Sequence, residues 1–236
     1  MHALRFLLDI LSPGRCVSCG KPVSYYDHCL CESCKRDIPP VRGGCDRCSA
    51  FIVGGECTVC SDRMFYLARN VSVADYAGVM ERIIRGYKFA GRRRLHIPLS
   101  EIACAAFMES RMECDLITSV PMGRAKRWAR GFNQSELLAR RLSRSLGIPY
   151  ARILKERRTA RSQKELRLRD RFVRIFNRFR VVGNACVEGR RVLVVDDIFT
   201  TGATLNECAR VLALEGAAEI SSLTLARAGI KKLEIV

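Results

Sequence analysis

Negative charge is scarce in this chain: 24 aspartates and glutamates face 41 lysines and arginines over 236 residues, a formal charge of +17. An excess of that size predicts an extended anionic partner, nucleic acid first, although a phosphate-rich small substrate would absorb part of it. Long apolar runs are missing too. The N-terminal stretch Ala3 to Leu11 is broken by Arg5 and Asp9 and has no small-residue cleavage site, and no run reaches the roughly 20 residues that cross a bilayer. A cytoplasmic protein without membrane insertion is therefore expected. The string G-x-x-x-x-G-K-[ST] does not occur, which excludes a P-loop nucleotide hydrolase. Tryptophan appears once, at Trp128. Apolar residues are in good supply: at 48% they support a core, and the length suits one α/β domain with a small appendage.

Cysteine is abundant and unevenly spread. Of 13, nine fall in the first quarter: four C-x-x-C pairs, Cys16/Cys19, Cys31/Cys34, Cys45/Cys48 and Cys57/Cys60, with Cys29 left over. Two such pairs make one tetrahedral thiolate site, so four predict two structural Zn²⁺ sites. A disulfide framework would need secretion, and no leader supports it. Sequential pairing would join the first two pairs and then the last two; an interleaved arrangement stays open, as does replacement of Cys31 by Cys29. His28, beside the cluster, reads as a surface residue. Each Zn(Cys)₄ site carries −2, so two lower the formal charge to about +13. Cys104, Cys114, Cys186 and Cys208 sit singly among apolar residues and read as small core residues. Residues 1–65 are thus expected to form a two-site zinc module, dependent on metal and built from turns such as Gly43-Gly44 and Gly54-Gly55.

Residues 66–236 carry strand and helix patterns in turn. Asn70 to Tyr76 reads as a strand, Gly78 to Tyr87 and Leu95 to Glu109 as helices, and Asp115 to Val120 as a buried strand. That strand ends in Pro121-Met122-Gly123-Arg124, a tight turn whose backbone can approach an anion closely. Asn133 caps a helix, with Glu136 placed as in a capping box, Leu138, Leu142 and Leu146 inward and Gly147 as the stop. Strands Phe179 to Val182, Arg191 to Val195 and Glu219 to Leu225 complete the order expected of a parallel sheet, whose ligand sites lie at the strands' carboxyl ends.

The run V-L-V-V-D-D-I-F-T-T-G-A-T, Val192 to Thr204, carries the clearest chemistry. Four apolar residues, a strand buried on both faces, stop at Asp196 and Asp197. The turn Thr200, Thr201, Gly202, Ala203 and Thr204 then opens a helix with Leu205, Cys208, Ala209 and Leu212 inward and Gly216 as the stop. Backbone N–H groups and a positive helix end at such a junction favour a phosphate. The acid pair repels that phosphate and is suited to sugar hydroxyls or a divalent cation.

This run resembles the signature of type I phosphoribosyltransferases, which bind 5-phosphoribosyl 1-pyrophosphate (PRPP). The resemblance implies that Asp196 and Asp197 engage the ribose hydroxyls and that Thr200 through Thr204 wrap the 5-phosphate. P-G-R-C-V-S-C-G, the repeated C-x-x-C pairs, Y-K-F-A-G-R at Tyr87 to Arg92, and V-P-M-G-R-A-K-R-W-A-R-G-F-N-Q at Val120 to Gln134 sharpen it across nearly the whole chain. Together they resemble the ComF family of competence-associated proteins, set apart from base-salvage transferases by R-G-F-N-Q at Arg130, Gly131, Phe132, Asn133 and Gln134. The fold implied is α/β: a type I phosphoribosyltransferase-like parallel sheet flanked by helices over 66–236, behind a small N-terminal zinc-ribbon module over 1–65. Also implied are Mg²⁺ with PRPP, a pyrophosphate loop at Pro121, Met122, Gly123 and Arg124, single-stranded DNA, and competence or helicase-type protein partners.

Two basic tracts remain. Lys155 to Arg180 holds eleven basic and three acidic residues with Phe172, Phe176 and Phe179 interleaved. Its front, where Arg157, Arg158 and Arg161 lie, takes the place of the transferases' flexible loop; the phenylalanines fit either base stacking or one face of a helix. Around Trp128 stand Arg124, Lys126, Arg127 and Arg130, with the indole either a stacking platform or a partly buried anchor. Arg92, Arg93 and Arg94 read as a solvated helix entry or part of a nucleic-acid track. No residue for nucleobase recognition emerges. Two functions follow: a competence protein in which PRPP and DNA binding serve DNA handling, or a phosphoribosyltransferase of nucleotide salvage with a zinc-ribbon lid.

Overall fold

The computed structural model describes residues 14–24, 29–41, 43–45, 47–50, 52–61, 64–89, 91–157, 176–182 and 187–228. Its cysteine-rich part is a string of short elements. β1 (Gly14–Arg15) pairs antiparallel with β2 (Pro22–Val23), and α1 (Glu32–Arg36) carries an acid in its first turn and bases in its last, as the helix dipole favours. β3 (Ile52–Val53) and β4 (Glu56–Cys57) form a hairpin over Gly54 and Gly55, whose φ values of 61° and 87° are those a two-residue hairpin turn demands of both positions.

The rest alternates as the patterning predicts. β5 (Arg69–Asp75) leads to α2 (Gly78–Phe89), a 3₁₀ turn at Arg93–Leu95 and α3 (His96–Glu109). β6 (Leu116–Ser119), α4 (Arg124–Arg130) and α5 (Gln134–Leu146) follow, then β7 (Leu154–Glu156), β8 (Phe179–Val181), β9 (Arg191–Phe199), α6 (Ala203–Leu214) and β10 (Glu219–Arg227). Four strands form a parallel sheet in the order β5-β10-β9-β6. The central position of β10 is uncommon for a strand with Ser222 and Thr224 in it. Ser222 donates to the Asn70 carboxamide at 2.8 Å and Thr224 meets Ser72 at 2.9 Å, so its buried hydroxyls are satisfied across the β5 seam.

Alternation along β9 divides the core. Leu193 and Val195 join Ile83, Tyr87, Leu99 and Leu138 of α2, α3 and α5 on one face. Val192 and Val194 face Leu205, Cys208 and Leu212 of α6 on the other. A parallel sheet must be covered on both sides, and among the described residues α6 is the one helix on its side and does not cover it alone. Cys48, Ala50, Val59, Phe65 and Leu67 complete that layer, together with Leu154 and Phe179 of the β7–β8 ribbon.

Several expectations need correction. The strand at Phe179 is not part of the parallel sheet: it pairs antiparallel with β7 in a separate two-stranded ribbon. β9 runs on to Phe199 and β10 to Arg227, beyond the apolar residues that marked them. Asn133 does cap α5, accepting the Ser135 N–H at 3.1 Å, but Glu136 turns to three arginines rather than closing a capping box. The basic tract around Trp128, for which the sequence shows no helical pattern, is the helix Arg124–Arg130, and Trp128 is 92% exposed, so it anchors nothing. Cys104 and Cys114 are half-buried, unlike the fully buried Cys208. Among the described residues no helix is long and apolar enough to cross a membrane. Arg158, Arg161, Phe172, Cys186 and His28 lie outside the described residues.

Candidate functional site

β9 outruns one of its neighbours. β6 pairs with it only as far as Val195, whereas β10 follows to Phe199. The Val120 N–H donates to the Val195 carbonyl at 3.0 Å, and beyond this bond Asp196 to Ile198 have, among the described residues, a ladder on one side only. Successive side chains on a strand point to opposite faces. Asp197 therefore turns toward α2, where Lys88 Nζ lies 2.8 Å from its Oδ1. Asp196 turns the other way; its Oδ1 accepts the Ser135 hydroxyl at 2.8 Å and the Asp197 N–H at 2.9 Å. Burial and the adjacent Asp197 charge push the Asp196 carboxyl up to about 7, against the opposing pull of those two donors and Lys88. Two acids and one lysine thus share the carboxyl end of β9.

The turn that follows is shaped by Gly202, the N-cap of α6, at φ 71°. A Cβ there would lie 2.6 Å from the Phe199 ring and 3.1 Å from Phe65, so a side chain is excluded by both conformation and space. The Asn206 N–H donates to the Gly202 carbonyl at 2.7 Å, closing the first turn, and the Ala203 N–H reaches Thr201 Oγ1 at 3.4 Å. Thr200 is exposed while Thr201 and Thr204 are half-buried, leaving hydroxyls around the helix's open N–H groups. The Asn206 side chain accepts from Tyr66 N–H at 2.6 Å and donates to the Met64 carbonyl at 3.1 Å. The chain leaving the last cysteine pair is thereby tied to the same helix.

The second turn follows β6. Pro121, Met122 and Gly123 are half-buried and Arg124 is exposed at the start of α4. A Cβ on Gly123 would sit 2.5 Å from the Glu156 carboxylate, which is itself held by Arg178 at 2.7 Å. Residues 130–134 form the joint between α4 and α5. Gly131 ends α4 at φ 76°, Phe132 is buried 5.8 Å from Tyr87, and Asn133 donates to the Val120 carbonyl at 3.1 Å. The Gln134 side chain is fully buried, with no partner for its Nε2 among the described residues. Arg130 stacks on Phe89 at 5.1 Å. Arg157 lies at the end of the β7–β8 ribbon, its Nε donating to the Phe179 carbonyl at 3.2 Å. The reading of the sequence passed over Lys88 and Asn206. Lys88 stands inside Y-K-F-A-G-R, one of the motifs that carry the family resemblance, and that membership is the available signal for it.

The eight paired cysteines gather as sequential pairing predicts: Cys16, Cys19, Cys31 and Cys34 in one group, Cys45, Cys48, Cys57 and Cys60 in the other, with all sulfurs of a group within 4.8 Å of one another. Cys29 belongs to neither group. Sulfur contacts of 3.7 Å (Cys19–Cys31), 3.5 Å (Cys45–Cys60) and 3.3 Å (Cys48–Cys57) are far longer than a disulfide and close to the roughly 3.8 Å edge of a thiolate tetrahedron around zinc. In the second group the Val59 and Cys60 N–H groups both point at Cys57 Sγ, each at 3.4 Å, as zinc knuckles arrange them. Against burial, these amides draw the Cys57 thiol down to about 7. Burial pushes Cys60 up to about 12. In the first group Ser33 draws Cys31 down to about 6 and burial raises Cys34 to about 12. Such uneven thiols ionise together only around a cation, and the donor sets fit Zn²⁺.

Comparison with known proteins agrees with this architecture. The phosphoribosyl transferase domain family matches residues 133–236, which include the acid pair and the turn after it. The DNA utilization protein YhgH of Escherichia coli is 31% identical over 223 residues, covering 91% of this chain and 97% of the relative. Competence protein F of Haemophilus influenzae is 30% identical over 223 residues, with 91% and 97% covered. Competence protein ComFC of Bacillus subtilis is 30% identical over 213 residues, 85% of each chain. With a parallel α/β sheet whose strand β9 ends in paired acids, two four-cysteine groups before it and relatives aligned along nearly its whole length, this chain belongs to the ComF family.

Proposed function

We propose that this protein binds PRPP and single-stranded DNA and serves DNA handling in competence, with two structural Zn²⁺ ions in its cysteine groups. The observation that carries the PRPP half is the acid pair at the one-sided end of β9, followed directly by a glycine turn and the N-terminus of the twelve-residue α6. Asp196 and Asp197 take the ribose hydroxyls as hydrogen-bond acceptors. The amides and hydroxyls of Thr200 to Thr204 take the 5-phosphate, where the α6 dipole adds to the attraction. Lys88 sets the charge of the pair: one ammonium offsets one of two carboxylates, so the pocket repels an entering phosphate less than a bare acid pair would. The pyrophosphate is assigned to the turn at Pro121 to Arg124, with Arg157, Arg158 and Arg161 as its candidate contacts by resemblance to the transferases. Mg²⁺ bound to the pyrophosphate would neutralise the leaving group in any transfer from C1 of the ribose. The DNA half rests on the formal charge of +17 and on relatives named for competence and DNA utilization.

Calorimetric titration of PRPP with Mg²⁺ tests the site. Asp197→Asn removes an acceptor charge and leaves Lys88 unpaired; Gly202→Val adds a β-branched side chain where φ is positive and Phe199 already fills the space. Each is expected to weaken PRPP at least tenfold, while folded variants keep their affinity for single strands measured without PRPP. Unchanged PRPP affinity in both would dismiss the assignment. Release of pyrophosphate on addition of a free nucleobase would move the protein to nucleotide salvage.

A further inference from the structure

Helix α4 buries none of its residues. Short helices normally persist by packing an apolar face, yet Arg124 to Ala129 are all exposed. Its sequence R-A-K-R-W-A-R holds four cations and the chain's one tryptophan. Neither Arg124 nor Lys126 forms an ion pair with another described residue. Beside it lies a second unusual group: the Glu136 carboxylate, 9% exposed, is shared by Arg127 at 3.3 Å, Arg140 at 3.1 Å and Arg152. Three guanidinium groups on one carboxylate leave two positive charges uncompensated. Their own side chains are 46 to 52% exposed, so the carboxylate acts as a buried anchor for outward-facing cations. Arg140 also lies over the Tyr150 ring at 4.7 Å, which fixes it further.

We propose that α4 and the Glu136 arginine cluster form a track for single-stranded nucleic acid, with a base stacked on Trp128 and successive phosphates met by Lys126, Arg127, Arg140 and Arg152. This rests on the DNA reading above and gives it a location. Among the described residues the surface sets clustered cations beside the exposed rings of Trp128 and Phe89, the combination by which single-strand binders hold phosphates and stack bases. Guanidinium groups already held by Glu136 lose little freedom when they meet a phosphate, which favours them over solvated lysines as contacts. The track also runs toward the acid pair of β9. Arg130, at the end of α4, stacks on Phe89, which is 72% exposed and follows Lys88, the partner of Asp197.

Because Trp128 is the only tryptophan, its fluorescence reports on this surface alone. Titration of the full chain with oligodeoxythymidylate at low salt is expected to quench it. Trp128→Ala should weaken the strand about tenfold by anisotropy, within the range of a lost stacked base, while PRPP affinity by calorimetry stays at the wild-type value. Lys126→Gln and Arg152→Gln should each flatten the log–log salt slope by about 0.7. Strand binding with an unquenched tryptophan and full affinity in Trp128→Ala overturns the location and leaves the DNA reading standing. No strand binding by the wild type at low salt overturns both. Quenching as strong with polyglutamate as with the oligonucleotide assigns the surface to an acidic protein instead and overturns the proposal.

Discussion

Asp196 is held in its half-buried place at a cost that ligand binding can recover. Its folded-state carboxyl sits near 7, above the ordinary value of 3.8, because burial and Asp197 disfavour its charge more than Ser135, the Asp197 amide and Lys88 favour it. A carboxyl raised on folding binds its proton more tightly in the native state. The stability it contributes is therefore full below about pH 4, declines as pH rises toward 7, and levels off above it. Each tenfold gain in proton affinity is worth about 1.4 kcal/mol, so the loss amounts to a few kcal/mol. Asp196→Asn keeps an oxygen for Ser135 and removes the charge. Urea midpoints followed from pH 4 to 8 should fall for the wild type and stay nearly level for the variant, which should be the more stable protein at pH 8 and the weaker binder of PRPP. Parallel curves for the two would show that Asp196 ionises normally. Lys88 belongs to the same account: no local pattern pairs it with Asp197, since the contact exists only after α2 and β9 meet.

Among the elements, α2 bears most on how the cysteine-rich part docks. Gly86, in its last turn, costs helix stability relative to alanine, yet a Cβ at this position would collide with Val17, which lies between Cys16 and Cys19. The glycine lets the first cysteine group lie directly on the helix, where Arg82 also donates to Ser18 at 3.1 Å. Gly86→Ala should lower the melting temperature despite its better helix propensity, and adding Val17→Ala should restore most of the loss. If Gly86→Ala alone raises the melting temperature, the packing is looser than described. Elements with a buried face were legible in the sequence: α2, α3, α5 and α6 by their apolar spacing, β6 and β9 by their apolar runs. α4 was not, because a helix with no buried side leaves no periodicity to read. β8 is misassigned to the parallel sheet and β7 is not read at all, since a three-residue strand carries no sign of its partner or direction. The carboxyl end of β9 was missed for a related reason: aspartates are poor strand formers, and pairing with β10 overrides that preference.

Across the whole molecule, the cysteine groups are built into the core. On the α6 side the sheet is covered partly by Cys48, Ala50 and Val59 of the second group and by Phe65 and Leu67 after it. Arg47 donates to the carbonyls of Phe65 and Leu67, and Asn70 donates to the Cys48 carbonyl at 3.1 Å. Arg227, the last residue of β10 and 1% exposed, binds Asp75 at 2.6 Å and the carbonyls of Gly43 and Ser49 at 2.7 and 2.6 Å. Loss of metal from this group would free its loops and, through Phe65 and the Asn206 bonds to residues 64 and 66, loosen the turn at Gly202. The first group packs on the α2 side, away from that turn, and Cys19 is exposed. Cys48→Ser should therefore lower both the melting temperature and the PRPP affinity, whereas Cys19→Ser should lower the melting temperature less and leave PRPP affinity within about twofold. A chelator strong enough to strip both groups should reproduce the Cys48→Ser loss of PRPP binding, and zinc should reverse it. Full PRPP affinity in the stripped, still folded protein would mean that the contacts of Phe65 and Asn206 transmit nothing, and that the crevice at β9 is shaped by the sheet and α6 alone.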